Sequence, residues 1–140
     1  FGLELDAIVS AIESASFQPA LAACIPVCNE GFKSNFNKTQ GPPGVWAPHA
    51  PYTVKKYGPH PLLILSGAML ASVTQSGADG RIESVGERDA EIGTSLFYAG
   101  FQQFGTNKIP ARRFLWLDEE SIDKVVDAFS ESAFQIIFGA

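Results

Sequence analysis

The two ends of the chain carry hydrophobic residues at the spacing of amphipathic helices. Over residues 3–15 these residues recur every three or four positions, and acidic residues occupy the other face. They are Leu5, Ile8, Val9 and Ile12. A longer pattern of the same kind follows Asp118, at Ile122, Val125, Val126, Phe129, Ala133, Ile136 and Ile137. Asp118 is a favourable N-cap and Gly139 a suitable terminator, so the sequence predicts a long C-terminal helix.

Between these ends the pattern is interrupted by prolines. A second helix is predicted from about residue 19 to residue 36, with Pro19 in its first turn and a kink or break at Pro26. Residues 37–61 are so rich in proline and glycine that most of this segment is predicted to lack regular structure. Because loops longer than about 12 to 15 residues are usually functional or disordered, we expect this arm to dock through Trp46 and Tyr52.

The central region predicts a small sheet. LLILSGAML, from residue 62, has the apolar density of a short buried helix that ends near Ser66-Gly67 or runs on to Met69. Three short segments follow at residues 71–77, 81–87 and 91–97. Asp79-Gly80 is a strong hairpin signal, which favours an antiparallel meander. The predicted fold class is α+β, with three to four strands packed against the N-terminal and C-terminal helices.

Residues 98–117 concentrate aromatic and basic side chains. Tyr98, Phe101 and Phe104 lie at the spacing of one helix face, and Gly105 is placed to end that helix. Pro110 forces Ile109 into an extended conformation, and an extended piece is predicted from Arg112 to Leu117. Two interpretations remain open. The aromatics form the core and the arginines are solvated, or Arg112 or Arg113 makes an intersubunit contact, since Arg and aromatic residues are enriched at interface centres.

Length and charge narrow the class of protein. A chain of 140 residues fits a single domain, here residues 1–140. Hydrophobic residues make up 46% and charged residues 18%, which predicts that a partner covers some apolar surface. The formal net charge of −5 disfavours tight DNA binding, which relies on a basic excess. The apolar stretch 61–73 is shorter than the roughly 20 residues of a membrane span, and the acidic N-terminal segment predicts a helix rather than a signal peptide.

Candidate chemistry is sparse. Cys24 and Cys28 with His49 and His60 would make four zinc ligands, but the histidines lie eleven positions apart rather than as a tight pair, which argues against zinc. A disulfide would need an oxidising compartment, so two reduced thiols are expected. Neither histidine has an acid or a nucleophile at a motif spacing. The sequence predicts no catalytic residue, metal or cofactor.

Three groups of residues between positions 44 and 117 form a recognisable pattern. The first group is Tyr98-Ala99, Gln103-Phe104-Gly105, Ile109-Pro110-Ala111-Arg112 and Phe114-Leu115. The others are Gly44-Val45-Trp46 with Thr53 and Lys55-Lys56, and Leu65-Ser66-Gly67 with Leu70 and Ser72. In this order and spacing they resemble the phage virion morphogenesis, or tail completion, family typified by the G protein of phage Mu, and the likeness covers about residues 44–117. Gln102 stands where the family often has histidine, and Arg113 where it usually has proline.

This resemblance implies a structural virion protein rather than an enzyme. Members have small α+β folds that form rings, commonly hexamers, which complete the tail and join it to the head connector around the DNA channel. The implied partners are further copies of the chain, connector or adaptor proteins and the tail tube protein, in a virion assembled in the host cytoplasm. The residues expected to support or make contacts are Trp46, Tyr98, Phe101, Gln103, Phe104, Gly105, Ile109, Pro110, Arg112, Arg113 and Phe114.

Two alternatives belong to other classes of protein. A nucleic-acid-binding module would use Lys108, Arg112 and Arg113, with Phe101 and Phe104 as stacking platforms. A small hydrolase would use His49 or His60 as its base. The acidic total argues against the first, and the missing motifs argue against the second.

Overall fold

A computed structural model describes residues 5–42 and 44–139 as an α+β fold, as the sequence predicts. The helices in these ranges are α1 (Leu5–Ser14), α2 (Gln18–Lys38), α3 (Pro51–Tyr57), α4 (Ala68–Thr74), α5 (Ala99–Phe104) and α6 (Glu119–Phe138). The strands are β1 (Gln40–Gly41), β2 (Gly44–Val45), β3 (Arg81–Val85) and β4 (Ala90–Thr94). They form two antiparallel pairs, β1 with β2 and β3 with β4, rather than one sheet of three to four strands.

The predicted terminal helices are present. α1 agrees with the apolar spacing of residues 3–15, of which residues 3 and 4 lie outside the described part of the chain. α6 begins directly after Asp118, whose side chain accepts a hydrogen bond from the Ser121 backbone N–H at 2.8 Å. This contact satisfies one of the free donors at the start of the helix, and Gly139 follows its end, as predicted.

α2 is the central helix, and the predicted break at Pro26 is wrong. Pro19 lies in its first turn, as expected, but the helix continues through Pro26 to Lys38. Pro26 and Ala22 are both exposed, so the Ala22 carbonyl that loses its helical donor lies on the solvent side. α2 also packs against α6 and α4, and these contacts stabilise it as one continuous helix. α2 packs most extensively against α6, where Gly31 allows close approach to Leu117.

The Pro-rich segment 37–61 contains more regular structure than predicted. The β1–β2 pair and helix α3 lie within it, and Pro51 starts α3 instead of preventing it, because the first turn needs no N–H from that residue. Trp46 docks as expected, and it docks on the protein's own core. Tyr52, in contrast, is exposed. Pro43 lies outside the described residues.

The predicted three-stranded meander is also wrong, because residues 68–74 form helix α4. The helix predicted from residue 62 is wrong too, because residues 61–67 form turns and bends and the helix begins only at Ala68. Met69, Ser72 and Val73 are buried at helical spacing, and this period overrides the strand pattern expected for residues 71–77. Asp79-Gly80 therefore leads from α4 into β3, and the hairpin turns at residues 86–89 instead. The β3–β4 hairpin packs mainly against α4 and α2, whereas the sequence had suggested the terminal helices.

The core joins segments that are distant in sequence. Its buried members are Phe32, Phe36, Trp46, Met69, Val73, Ala99 and Phe114. The Phe36 ring meets Trp46 edge-on at a centroid distance of 5.6 Å and lies 5.7 Å from Phe114. The core therefore fixes residues 98–117 against α2 and the Pro-rich segment.

Candidate functional site

A sharp turn after α5 shapes the segment 98–117. α5 ends at Gly105, as predicted, where φ is 74° and ψ is 172°, a backbone conformation that favours glycine. A Cβ at this position would lie 2.8 Å from the Ala111 nitrogen and 2.9 Å from the Ile109 oxygen. The Thr106 N–H then donates to the Ile109 carbonyl at 2.8 Å. The turn brings Pro110 and Arg112 back beside α5.

Gln103 fastens the returning chain to α5. Its Oε1 accepts hydrogen bonds from the backbone N–H groups of Phe114 and Leu115, both at 3.0 Å. Its Nε2 donates to the Leu115 carbonyl at 3.2 Å. One side chain thus satisfies three main-chain groups of a segment that has no strand partner of its own.

Arg112 is buried, with 8% of its surface exposed, and holds the Pro-rich segment. Its Nε donates to the Ala47 carbonyl at 2.8 Å and its Nη2 to the Pro48 carbonyl at 2.9 Å. Burial lowers the pKa of Arg112, yet a guanidinium in a protein keeps its charge. Arg113 is exposed. The two arginines therefore have different roles: Arg112 is a structural clamp, and Arg113 presents its charge to solvent.

Three further side chains complete these contacts. The indole nitrogens of Trp46 and Trp116 donate to the Arg113 and Gln40 carbonyls, each at 3.1 Å. The Asn35 amide donates to the Phe114 carbonyl at 2.9 Å and to the Trp116 carbonyl at 2.7 Å. We call these five side chains the main-chain clamps: Asn35, Trp46, Gln103, Arg112 and Trp116.

Sequence reasoning had not selected Asn35 or Trp116. A signal for Asn35 was available, because it lies between Phe32 and Phe36 on the buried face of α2, where a polar residue needs a partner. The signal for Trp116 was weaker: it lies in the predicted extended piece, and a buried indole N–H needs an acceptor. The clamps therefore include three predicted site residues and two that were missed.

The aromatic residues of α5 point outward. Tyr98, Phe101 and Phe104 are exposed, and so is Phe97 just before the helix; Phe104 exposes 77% of its surface. We call these four residues the α5 patch. The core interpretation of segment 98–117 does not hold throughout, since Phe114 is a core residue and Arg112 is buried while Tyr98, Phe101 and Phe104 are exposed. An intersubunit contact through Arg112 or Arg113 stays a prediction. Ile109 is half-buried and Pro110 is exposed.

A cavity of about 600 Å³ lies beside α5. Its apolar lining includes Leu63, Ile64, Leu65, Met69, Tyr98, Ile109 and Pro110. Its basic lining consists of His49, His60, Lys108 and Arg112, and no Asp or Glu is among the described residues that line it. We call it the basic cavity. Its size falls within the range of ligand pockets, about 300 to 1,000 Å³.

His49 and His60 meet at this cavity but are occupied with main-chain contacts. Their ring centroids are 4.1 Å apart. His49 Nε2 lies 3.0 Å from the His60 carbonyl, and His60 Nδ1 lies 2.9 Å from the Gly58 carbonyl. Since a carbonyl can only accept, each of these nitrogens carries a proton. Neither contact is the carboxylate–histidine or histidine–nucleophile pair that acid–base chemistry uses.

The cysteines are separate from this pair. Cys24 and Cys28 are free thiols one turn apart on α2, and burial raises the pKa of both. The Cys24 thiol donates to the Ala20 carbonyl at 3.3 Å. Within residues 5–42 and 44–139, no three His, Cys, Asp or Glu side chains come close enough together to hold a metal ion.

Comparisons with known proteins give no relatives: no protein-family model, curated protein or solved structure matches this chain. No single helix in the described ranges has the length and apolar content to cross a membrane, although α1 and α2, bent by 66°, meet those criteria as a pair.

Proposed function

We propose that this chain is a structural protein of a phage neck or tail top, which forms a ring that completes the tail and joins it to the head connector. The copies of the ring, six by resemblance to the family, surround the DNA channel. The proposal is carried by one observation: four aromatic side chains form the exposed α5 patch on a segment that the main-chain clamps hold rigidly. A rigid exposed aromatic surface is typical of a protein interface.

The residues that carry the family resemblance support this role in two ways. Trp46, Gln103, Gly105 and Arg112 fix the path of the chain. Tyr98, Phe101 and Phe104 are exposed and are free to meet a partner. The same short sequence thus contains both a support and a contact surface for an assembling virion protein.

The alternative classes receive less support from the same contacts. Arg112 donates to two carbonyls, so a nucleic-acid-binding surface would keep only Lys108 and Arg113 of its three proposed bases. A net charge of −5 suits a ring whose channel does not retain DNA. A hydrolase is disfavoured because His49 and His60 are bonded to carbonyls.

Electron microscopy of the virion tests the proposal. We expect density for several copies of this chain between the head connector and the tail tube, and free heads and tails from a phage that lacks it. A particle whose neck contains no copy, or mutant tails that join heads normally, would show the proposal to be wrong.

Variants of the α5 patch test the surface itself. Phe101→Asp with Phe104→Asp should abolish the joining of heads and tails in a complementation assay, because charge is introduced into an apolar contact. Val45→Asp is the control, since Val45 is as exposed as Phe104 but lies on β2. Equal joining by both variants would exclude the α5 patch.

A further inference from the structure

The C-terminal half of α6 carries an aromatic pair that the subunit leaves exposed. Phe134 and Phe138 expose 59% and 50% of their surfaces, and their ring centroids are 4.9 Å apart. Glu131 lies on the same face, because positions i, i+3 and i+7 align along a helix. We call Glu131, Phe134 and Phe138 the α6 donor face.

This half of α6 extends beyond its main packing partner. α2 and α6 run in opposite directions, since Gly31 lies beside Leu117 and Phe17 stacks on Phe129 at 5.8 Å. Residues after Phe129 therefore pass the N-terminal end of α2, where α1 is the neighbouring helix. The donor face is thus an exposed patch of one acidic and two aromatic side chains near the end of α6.

The basic cavity has the complementary chemistry. Its charged lining is entirely basic among the described residues, and its walls are apolar. Arg112 forms none of the three ion pairs found in the described residues, so its buried charge faces only carbonyl groups and the cavity. Lys108 is exposed at the rim. A carboxylate attached to an apolar body fits such a lining, because the charge meets Lys108 and Arg112 while the body displaces water.

We propose that the basic cavity receives the α6 donor face of a second copy of this chain. Phe134 and Phe138 enter the apolar part, and Glu131 pairs with Lys108 at the rim. This is a helix-in-groove contact with anchors at i, i+3 and i+7. The proposal deepens the proposed function, on which it rests, by naming the two surfaces that join neighbouring subunits.

The positions of the two surfaces give the contact a direction. The cavity is lined by residues between His49 and Arg112, whereas the donor face lies on α6. Each copy therefore carries a donor face and a cavity built from different residues, so the contact joins unlike surfaces and copies can follow one another head-to-tail. A head-to-tail contact between identical subunits closes into a ring when its rotation permits.

A complementation experiment with the full chain tests this contact. The donor variant is Phe134→Asp with Phe138→Asp, and the cavity variant is Leu65→Glu with Lys108→Glu; all four side chains are exposed, so circular dichroism should show unchanged folding. Sedimentation velocity should show the wild type assembling and each variant associating at least about tenfold more weakly. A mixture of the two variants should form dimers and nothing larger, because one intact junction remains.

Three results would overturn the contact. Both variants could assemble like the wild type, the mixed variants could fail to form dimers, or the wild type could remain monomeric at every concentration. The ion pair has its own test, in which Glu131→Lys should restore assembly to Lys108→Glu. Since the proposed function is decided by the location of this protein in virions, it can stand when this contact fails.

Discussion

At the scale of single residues, the main-chain clamps explain how an irregular segment is held in one conformation. Residues 105–117 have no strand partner, so their backbone groups must find hydrogen bonds elsewhere. Asn35 supplies them from α2, Gln103 from α5 and Trp46 from the Pro-rich segment. Losing a clamp leaves buried backbone groups unpaired, which costs more than the hydrogen bond alone.

Gln103→Ala should destabilise the protein strongly. It removes an acceptor from two backbone N–H groups and a donor from one carbonyl, and we expect a loss of about 1–3 kcal/mol in the free energy of unfolding. Urea denaturation measures this. Gln102→Ala is the matched control, because the Gln102 side chain makes only a 3.5 Å contact with Arg112. Equal losses for the two variants would contradict the clamp.

Gly105→Ala should be costly for a different reason. The positive φ of 74° strains any residue with a Cβ, and that Cβ would meet the Ile109–Ala111 backbone. We expect a loss of about 1–3 kcal/mol. Gly100→Ala is the control, because Gly100 lies inside α5 with nothing within 4 Å of an added Cβ. Alanine should be neutral or stabilising there, as judged by thermal unfolding.

At the scale of elements, the sequence located α1, α2, α5 and α6 and the segments of β3 and β4, but it missed α3, α4 and the β1–β2 pair. α6 and α5 follow from apolar and aromatic spacing with a clear N-cap or terminating glycine. α4 was missed because Ala71–Thr74 has strand-like residues, and its helical period became visible only with Met69 included. Pro26 failed as a helix breaker because packing on both neighbours outweighs one lost hydrogen bond on the solvent side.

The sequence predicted most residues of the candidate site, but not which of their side chains are buried and which are exposed. The aromatic spacing located the α5 patch, yet no pattern distinguishes buried Arg112 from exposed Arg113, which are adjacent in sequence. Their difference depends on the Ala47 and Pro48 carbonyls, which lie more than sixty positions away. The basic cavity depends on similarly distant segments, so sequence spacing could not reveal it.

The start of α6 offers a prediction at this scale. Asp118→Ala removes the cap that accepts the Ser121 N–H, and we expect a loss of about 1 kcal/mol. Asp118→Asn retains an acceptor and should recover most of that loss. Chemical denaturation of the three proteins measures the difference, and a result in which Asn and Ala cost the same would assign the effect to charge alone.

At the scale of the whole molecule, its acidic groups make stability depend on pH. Hydrogen bonds from Ser76 and then Arg81 lower the pKa of Glu83, and the hydrogen bonds of Ser121 lower the pKa of Asp118. A carboxyl group whose pKa is lower in the folded state stabilises the fold above its unfolded pKa. This contribution disappears as the pH falls through the folded pKa.

We therefore expect the unfolding temperature to fall as the pH drops below about 4, the ordinary range of carboxyl groups. The double variant Glu83→Gln, Asp118→Asn should show a shallower fall over the same range, because its neutral amides do not titrate. Calorimetry at several pH values measures both slopes. An unchanged slope would show that other carboxyl groups control acid unfolding.

The main-chain clamps also have a consequence for how this protein can diverge. Every clamp ends on a peptide group, and every amino acid supplies the carbonyls that receive Asn35, Trp46, Arg112 and Trp116, so those receiving positions are free to drift while the clamping side chains are not. Arg113 contributes a carbonyl to Trp46, and proline has the same carbonyl. We therefore expect related chains to retain Trp46, Gln103 and Arg112 even where positions 47, 48 and 113 have changed.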